Sequence, residues 1–308
     1  MAVITNILNT NLKGLILKNP IITASGTYGY NGEYDDFIDV SALGAIVTKA
    51  ISLRPRAGNK NIRIMETKAG MINSIGLENI GIDTFLTDKL PVLKSKNINF
   101  IVNIAGSTID EYIELAKICE TRKIKAIELN VSCPNVKSGC LEFGTDENSL
   151  YELVNSVRQE YKDFLIVKLT PNVTSIEKIG LAAQKAGADA ISAINTLKGS
   201  AIKFNLINGK FQKTSISGGY SGYGIKPVAI NAVLRLSKVL NIPIIGIGGI
   251  ETLEDILEFF AAGADAVQIG TANFTHPDIA EKLVNELKEY IIKNRFKDIN
   301  ELKKELRA

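Results

Sequence analysis

Residues 241–270 read NIPIIGIGGIETLEDILEFFAAGADAVQIG, which is a strand, a helix and the next strand in succession. The run IPIIGI (242–247) is short, apolar and β-branched, as a strand buried on both faces must be. Gly248 and Gly249 end it. Thr252 and Asp255 form a capping-box pattern ahead of ILEFFAAG. Gly263 suits the left-handed position that stops a helix before the strand at 265–269. The phrase Ala-Gly-Ala-Asp-Ala at 262–266 recurs at 186–190, again behind a capping-box pattern, Thr174 with Glu177. This is a weak internal repeat of one helix–strand unit.

Working outward, eight such runs occur, at 20–24, 44–48, 99–104, 125–131, 164–169, 189–194, 242–247 and 265–269. Helical patterns fall between most of them, as in DEYIELAKICE (110–120). Eight strands alternating with helices predict a parallel sheet, and eight is the number that closes a (β/α)8 barrel. A barrel of this kind takes about 250 residues. The 308 residues therefore read as one barrel with long loops, the excess lying mainly in 50–98 and 196–241. No convincing strand is predicted within 50–80.

Composition removes several classes of function. The charge sum, 36 basic against 33 acidic residues, is +3, too small to imply a nucleic-acid or membrane-surface partner. No run of about 18 apolar residues is present to span a bilayer. The opening MAVITNILNTNLKG lacks the basic-then-apolar pattern of a signal peptide, so a cytoplasmic protein is expected. Three cysteines, Cys119, Cys133 and Cys140, make no disulfide framework, and no metal site is expected. With His276 as the sole histidine, acid–base chemistry must use another residue type.

In a barrel the C-terminal strand ends meet on the face where active sites sit. Those ends carry Ser25, Lys49, Asn103, Asn130, Lys168, Asn195 with Thr196, Gly248 with Gly249, and Gly270 with Thr271. Glycine ends on the last two strands allow a phosphate to approach exposed backbone N–H groups. The stretch SGGYSGYG (217–224), ahead of a helix expected at 228–240, would add further amides. Lysines 49 and 168 follow apolar β-branched residues, where a charge is costly unless it meets an anion or acts as a Schiff-base amine. Asn73, Asn130 and Asn195 offer donors and acceptors suited to a planar imide. Cys133 sits in NVSCPN (130–135), in a loop that reads as exposed, and is a candidate base or nucleophile. Cys119, on the apolar face of a helix, reads as structural. Glu128 lies inside its strand, so paired carboxylates are not supported.

Taken together these residues are recognisable. The chain resembles the class 1 dihydroorotate dehydrogenases over essentially its whole length. The resemblance rests on Lys18-Asn19-Pro20, Ala24-Ser25-Gly26-Thr27, Thr48-Lys49-Ala50, Asn73-Ser74-Ile75-Gly76-Leu77, Leu129 through Asn135, Val167-Lys168-Leu169, Ile194-Asn195-Thr196 and the two glycine ends. It implies a single domain over 1–308, a TIM barrel with an N-terminal β-hairpin and long inserted loops on the C-terminal face. It implies one FMN per chain, bound by Ser25, Lys49, Ala50, Asn103, Asn130, Lys168, Ile194, Gly222, Gly248, Gly249, Gly270 and Thr271. It implies that Lys49, Asn73, Ser74, Ile75, Gly76, Leu77, Asn130, Asn195 and Thr196 hold dihydroorotate or orotate. Cys133 would be the base that takes the C5 proton while C6 gives hydride to the flavin. Class 2 relatives use serine there and carry a membrane helix, and this chain matches neither feature.

Stretches such as Ser52-Leu53-Arg54-Pro55-Arg56 and Gly218 through Gly222 look most like the class 1B catalytic subunit. That implies a homodimer joined in a heterotetramer by a partner subunit carrying FAD and a 2Fe–2S cluster, with NAD as final acceptor. The alternatives are a class 1A homodimer that reduces fumarate and a related flavin barrel acting on another dihydropyrimidine. Cys140 departs from the pattern, where a small residue such as glycine is expected.

Overall fold

The computed structural model describes residues 6–30, 33, 36–60, 62–96, 98–132, 134–135, 141–208 and 210–308. Eight parallel strands close into a barrel: β1 (Ile21–Thr23), β2 (Ala45–Val47), β3 (Phe100–Ile104), β4 (Ala126–Asn130), β5 (Phe164–Leu169), β6 (Ala190–Ala193), β7 (Ile244–Ile247) and β8 (Ala266–Ile269). Neighbours in sequence pair in space, and β8 returns to β1. Each strand lies inside one of the eight runs, because a barrel strand is covered on the outside by helices and on the inside by its neighbours' side chains.

Period-two alternation sorts each strand into inward and outward residues. The inward set at the barrel base is apolar: Ile22, Val47, Ile101, Ala126, Ile166 and Ile245 form one buried cluster. A two-stranded hairpin (Thr10–Asn11 with Ile16–Leu17) closes that end, and its Leu12 and Leu17 join the same cluster with no exposed surface. The expected N-terminal hairpin is therefore present, and it plugs the barrel. One inward step higher the residues are polar: Asn103, Glu128, Lys168, Ser192 and Gln268, all buried.

Helices Ile109–Thr121, Glu147–Glu160, Ile176–Lys185, Lys226–Ser237 and Leu253–Ala261 are among those that pack around the barrel. The capping box at Thr252 and Asp255 forms as read, with each side chain bonding the other's backbone N–H. The one at Thr174 and Glu177 does not. The N-cap there is Ser175, and the Glu177 carboxylate is drawn to Arg235 on the next helix, with Nη2 donating at 2.6 Å. The helix expected at 228–240 runs from Lys226 to Ser237, with Pro227 in its first turn.

The long loops differ most from the sequence reading. Within 50–80 there are two strands, Ile64–Thr67 and Gly70–Asn73, where none was predicted. They join the hairpin Leu197–Ile207 and Lys210–Ser221 in a four-stranded antiparallel sheet beside the barrel mouth. Most of SGGYSGYG is therefore strand rather than an amide-bearing loop. Gly219 pairs with Asn73, and a Cβ there would lie 2.1 Å from Thr196 Oγ1. Among the described residues no helix is long and apolar enough to cross a membrane.

Candidate active site

The C-terminal strand ends open into a cavity of about 880 Å3. Its volume is at the upper end of the range for small-molecule and cofactor sites. Ser25, Lys49, Ala50, Asn130, Lys168, Ile194, Gly222, Gly248, Gly249, Gly270 and Thr271 all line it. So do Asn73, Ser74, Ile75, Gly76, Leu77, Asn195 and Thr196. Residues spread over some 250 positions of chain are thus gathered at one mouth, each delivered by the end of a strand or by the neighbouring sheet.

Two expected residues stand apart. Asn103 is fully buried and does not line the cavity; its Nδ2 donates to Glu128 Oε1 at 2.7 Å, one layer below. Cys133 lies outside the described residues, as does Cys140. Ser132, immediately before Cys133, lines the cavity and accepts from Asn195 Nδ2 at 3.0 Å.

One wall is a cluster of amides. Asn195 Nδ2 also donates to Asn130 Oδ1 at 3.2 Å, and Asn195 Oδ1 accepts the backbone N–H of Thr196 at 2.8 Å. Asn130 is fixed from behind, where the Tyr112 hydroxyl donates to its carbonyl at 2.6 Å. Asn73 Nδ2 donates to the Gly219 carbonyl at 3.1 Å, tying the 73–77 loop to the added sheet. Asn59 steadies the loop further, its Nδ2 donating to Ser74 Oγ at 3.0 Å. Both lysines face this space. Lys168 is buried with Glu128 Oε1 3.9 Å from its Nζ, and the Lys49 side chain makes no hydrogen bond or ion pair with the described residues. Two ammonium groups at a low-dielectric mouth favour an anion there.

The other end is built of backbone. Among the described residues, no hydrogen bond takes up the N–H groups of Gly248, Gly249, Gly270 or Thr271. Gly249 has φ +73°, and a Cβ on it would lie 2.7 Å from Lys226 Cβ, so this turn needs glycine for the protein's own sake. Gly270 differs: a Cβ there would meet only Ala24 at 3.6 Å, an ordinary contact. The space beside Gly270 is left open by the chain and belongs to the cavity. Free amides beside an open glycine fit a phosphate group, so this end suits the phosphate of a cofactor. Behind the turn, Lys226 Nζ bonds Asp255 Oδ1 at 2.6 Å. Burial opposes both charges, yet hydrogen bonds prevail: Asp255 and Glu258 hold Lys226 above its usual range, and Lys226 with the backbone N–H groups of Glu251 and Thr252 holds Asp255 below its own.

Glu128 is the residue that sequence reasoning passed over. Its carboxylate collects Asn103, Ser192 and Gln268 as donors beneath the cavity. The signal was available, since an acid at an inward position of an apolar strand requires buried partners. Arg56 was missed as well; it lines the cavity and donates to Ser107 Oγ at 3.0 Å.

Comparison with known proteins agrees with this geometry. Residues 7–291 match the family model described as dihydroorotate dehydrogenase. Among curated relatives, the "Dihydroorotate dehydrogenase B (NAD(+)), catalytic subunit" of Geotalea uraniireducens is 47% identical over 296 residues, covering 96% of each chain. The protein of the same name from Geotalea daltonii is 48% identical over the same span. That from Thermodesulfovibrio yellowstonii is 46% identical over 297 residues, 96% of this chain and 97% of its own.

Proposed function

The chain belongs to the dihydroorotate dehydrogenase family, and on that premise we propose that it oxidises dihydroorotate to orotate in de novo pyrimidine (UMP) biosynthesis with FMN as cofactor. The observation that carries this reading is that one cavity gathers two lysines, an amide cluster and four backbone N–H groups without a partner among the described residues. That is a site for an anionic imide beside a phosphorylated group.

The residues divide the work. Gly248, Gly249, Gly270 and Thr271, with Gly222, would hold the cofactor's phosphate through backbone N–H groups, and Ser25, Ala50, Asn130, Lys168 and Ile194, which line the same cavity, would hold the rest of it. Asn103 belongs to this set through the layer beneath. Lys49 meets the substrate carboxylate, and Asn73 through Leu77, Asn130, Asn195 and Thr196 match the ring's donors and acceptors. The interlocked amides of Asn130 and Asn195 make this wall rigid, so binding orders few side chains.

Cys133 takes the C5 proton at its Sγ. Ser132, the residue before it in sequence, lines the cavity, and a thiol is favoured as thiolate wherever cations and amide donors are near, which makes it a competent base near neutral pH. Bound FMN supplies the acceptor for the hydride that leaves C6. The Lys168 ammonium stabilises negative charge that develops in the cavity. The amide wall keeps C5 and C6 in place while the proton leaves. A cysteine base removes the need for histidine, of which the chain has one.

Residues 1–308 act as one domain. Helix Ile299–Leu306 packs Ile299 and Leu302 into the same core as the barrel helices. The relatives are named NAD(+) enzymes and catalytic subunits, so the proposed electron acceptor is NAD, reached through a partner subunit that carries FAD and 2Fe–2S. Three cysteines in this chain are too few for a cluster of its own. The proposed assembly is a homodimer of this chain within a heterotetramer, in the cytoplasm. The test is Cys133→Ser. Anaerobic flavin reduction by dihydroorotate should slow by at least about 100-fold at neutral pH, the scale of a lost general base. Near-normal reduction would remove Cys133 from the role.

A further inference from the structure

We propose that Glu128 is a positioning residue, resting on the FMN reading above, that sets the charge and the orientation of the polar layer beneath the cavity. It stands on β4 one inward step below Asn130, with no exposed surface. Oε1 accepts from Asn103 Nδ2 at 2.7 Å and lies 3.9 Å from Lys168 Nζ. Oε2 accepts from Ser192 Oγ and from Gln268 Nε2, both at 2.8 Å. One carboxylate thus gathers side chains from β3, β5, β6 and β8 at the centre of the barrel. Strand register makes this possible: Asn103 stands opposite Glu128, and Lys168 stands opposite Ser192.

Stability alone does not account for an acid here. A buried charge costs several kcal/mol even when paired, and an aliphatic replacement is often as stable or more so. The layer below shows that the barrel packs well without polar groups, since Val47, Ile101, Ile166 and Ile245 fill it. The polar layer begins only on the side facing the cavity.

The chemistry of a carboxylate explains what is gained. It accepts hydrogen bonds and donates none. Asn103 and Gln268 must therefore turn their NH2 groups to it, which fixes both amides. Their oxygens, Asn103 Oδ1 and Gln268 Oε1, are left buried and without a partner among the described residues. The 3.9 Å separation from Lys168 is too long for a hydrogen bond, so Glu128 balances the lysine's charge while leaving its N–H donors for the cavity. Asn103, Lys168 and the field above them are thereby set by one residue that does not itself line the cavity.

The test is the flavin's reduction potential in Glu128→Gln and Glu128→Asp, measured on FMN-loaded protein without dihydroorotate. Glu128→Gln removes a negative charge below Lys168 and should favour the reduced flavin by at least about tenfold, about 30 mV for a two-electron couple. Glu128→Asp keeps the charge and should stay within about threefold of wild type. Ser192→Ala strips one donor and leaves the carboxylate less neutralised, so it should move the equilibrium the other way by about threefold. That variant decides the matter if Glu128→Gln does not fold. Potentials that stay at the wild-type value in Glu128→Gln, or in Ser192→Ala where it stands in, overturn the proposal. A wild-type chain that takes up no FMN would remove the cofactor reading and this inference together. A flavin-loaded wild type that ignores dihydroorotate fails the substrate reading alone, and the potentials still judge Glu128.

Discussion

Gly270 and Gly249 both line the cavity, yet a methyl group at each should do opposite things. At Gly270 the backbone is outside the left-handed region, and a Cβ meets only Ala24 at 3.6 Å. Gly270→Ala should therefore leave the cofactor-free protein as stable as wild type, or more stable by about 0.4–1 kcal/mol through reduced unfolded-state entropy. The new methyl intrudes on the space assigned to the cofactor. Overpacking of one methyl costs about 1–3 kcal/mol, and about 1.4 kcal/mol is tenfold in Kd, so FMN should bind about 5- to 150-fold more weakly. Gly249→Ala is the contrast. Its φ of +73° and a Cβ 2.7 Å from Lys226 Cβ are conflicts within the protein. Left-handed strain of about 1–2 kcal/mol and overpacking of about 1–3 kcal/mol should destabilise the cofactor-free protein itself. Denaturant melts of stripped protein give the first quantity, and FMN titration followed by flavin fluorescence gives the second. A Gly270→Ala protein that binds FMN like wild type, or that unfolds as early as Gly249→Ala, would refute the assignment of the phosphate end.

Two further outcomes test the frame. Lys303, at the closed end of the barrel, is brought down to about 8 by burial, against an ordinary value near 10.5. Between those values the unfolded chain binds more protons, so wild-type stability relative to Lys303→Met should climb as pH rises through that window, by up to about 3 kcal/mol; parallel melting curves from pH 7 to 10.5 would contradict this. Cys119 is fully buried and its thiol is pushed up to about 12 by burial. Mass spectrometry after iodoacetamide at pH 8 should find it unmodified in native protein and modified once the protein is denatured.

The barrel was legible because its strands are buried on both faces, which leaves continuous apolar runs such as FLIVKL in β5. The mouth was legible because charged and amide residues at the ends of such runs have few structural explanations. The added sheet was not. Along 197–213 most residues are exposed, including Ile202, Phe204, Leu206 and Phe211, so no buried face imposes a pattern. The dipeptide Asn208-Gly209 is a sequence signal of the hairpin type that could have found it but was not read. The Thr174 capping box failed because its acid found a stronger partner, Arg235, from a helix distant in sequence. Glu128 was visible as an acid within a strand, but its meaning depended on four side chains that only barrel closure brings together. Local patterns fix elements and their ends, whereas long-range polar pairings have no local signature.

Whether this cavity holds a flavin that takes electrons from dihydroorotate can be read directly. Purified protein, made anaerobic, is mixed in turn with dihydroorotate and dihydrouracil while the flavin absorbance is followed. The protein should be yellow, and its visible band should bleach with dihydroorotate and persist with dihydrouracil. A colourless protein that takes up no FMN, or a flavin bleached by dihydrouracil and untouched by dihydroorotate, would contradict it.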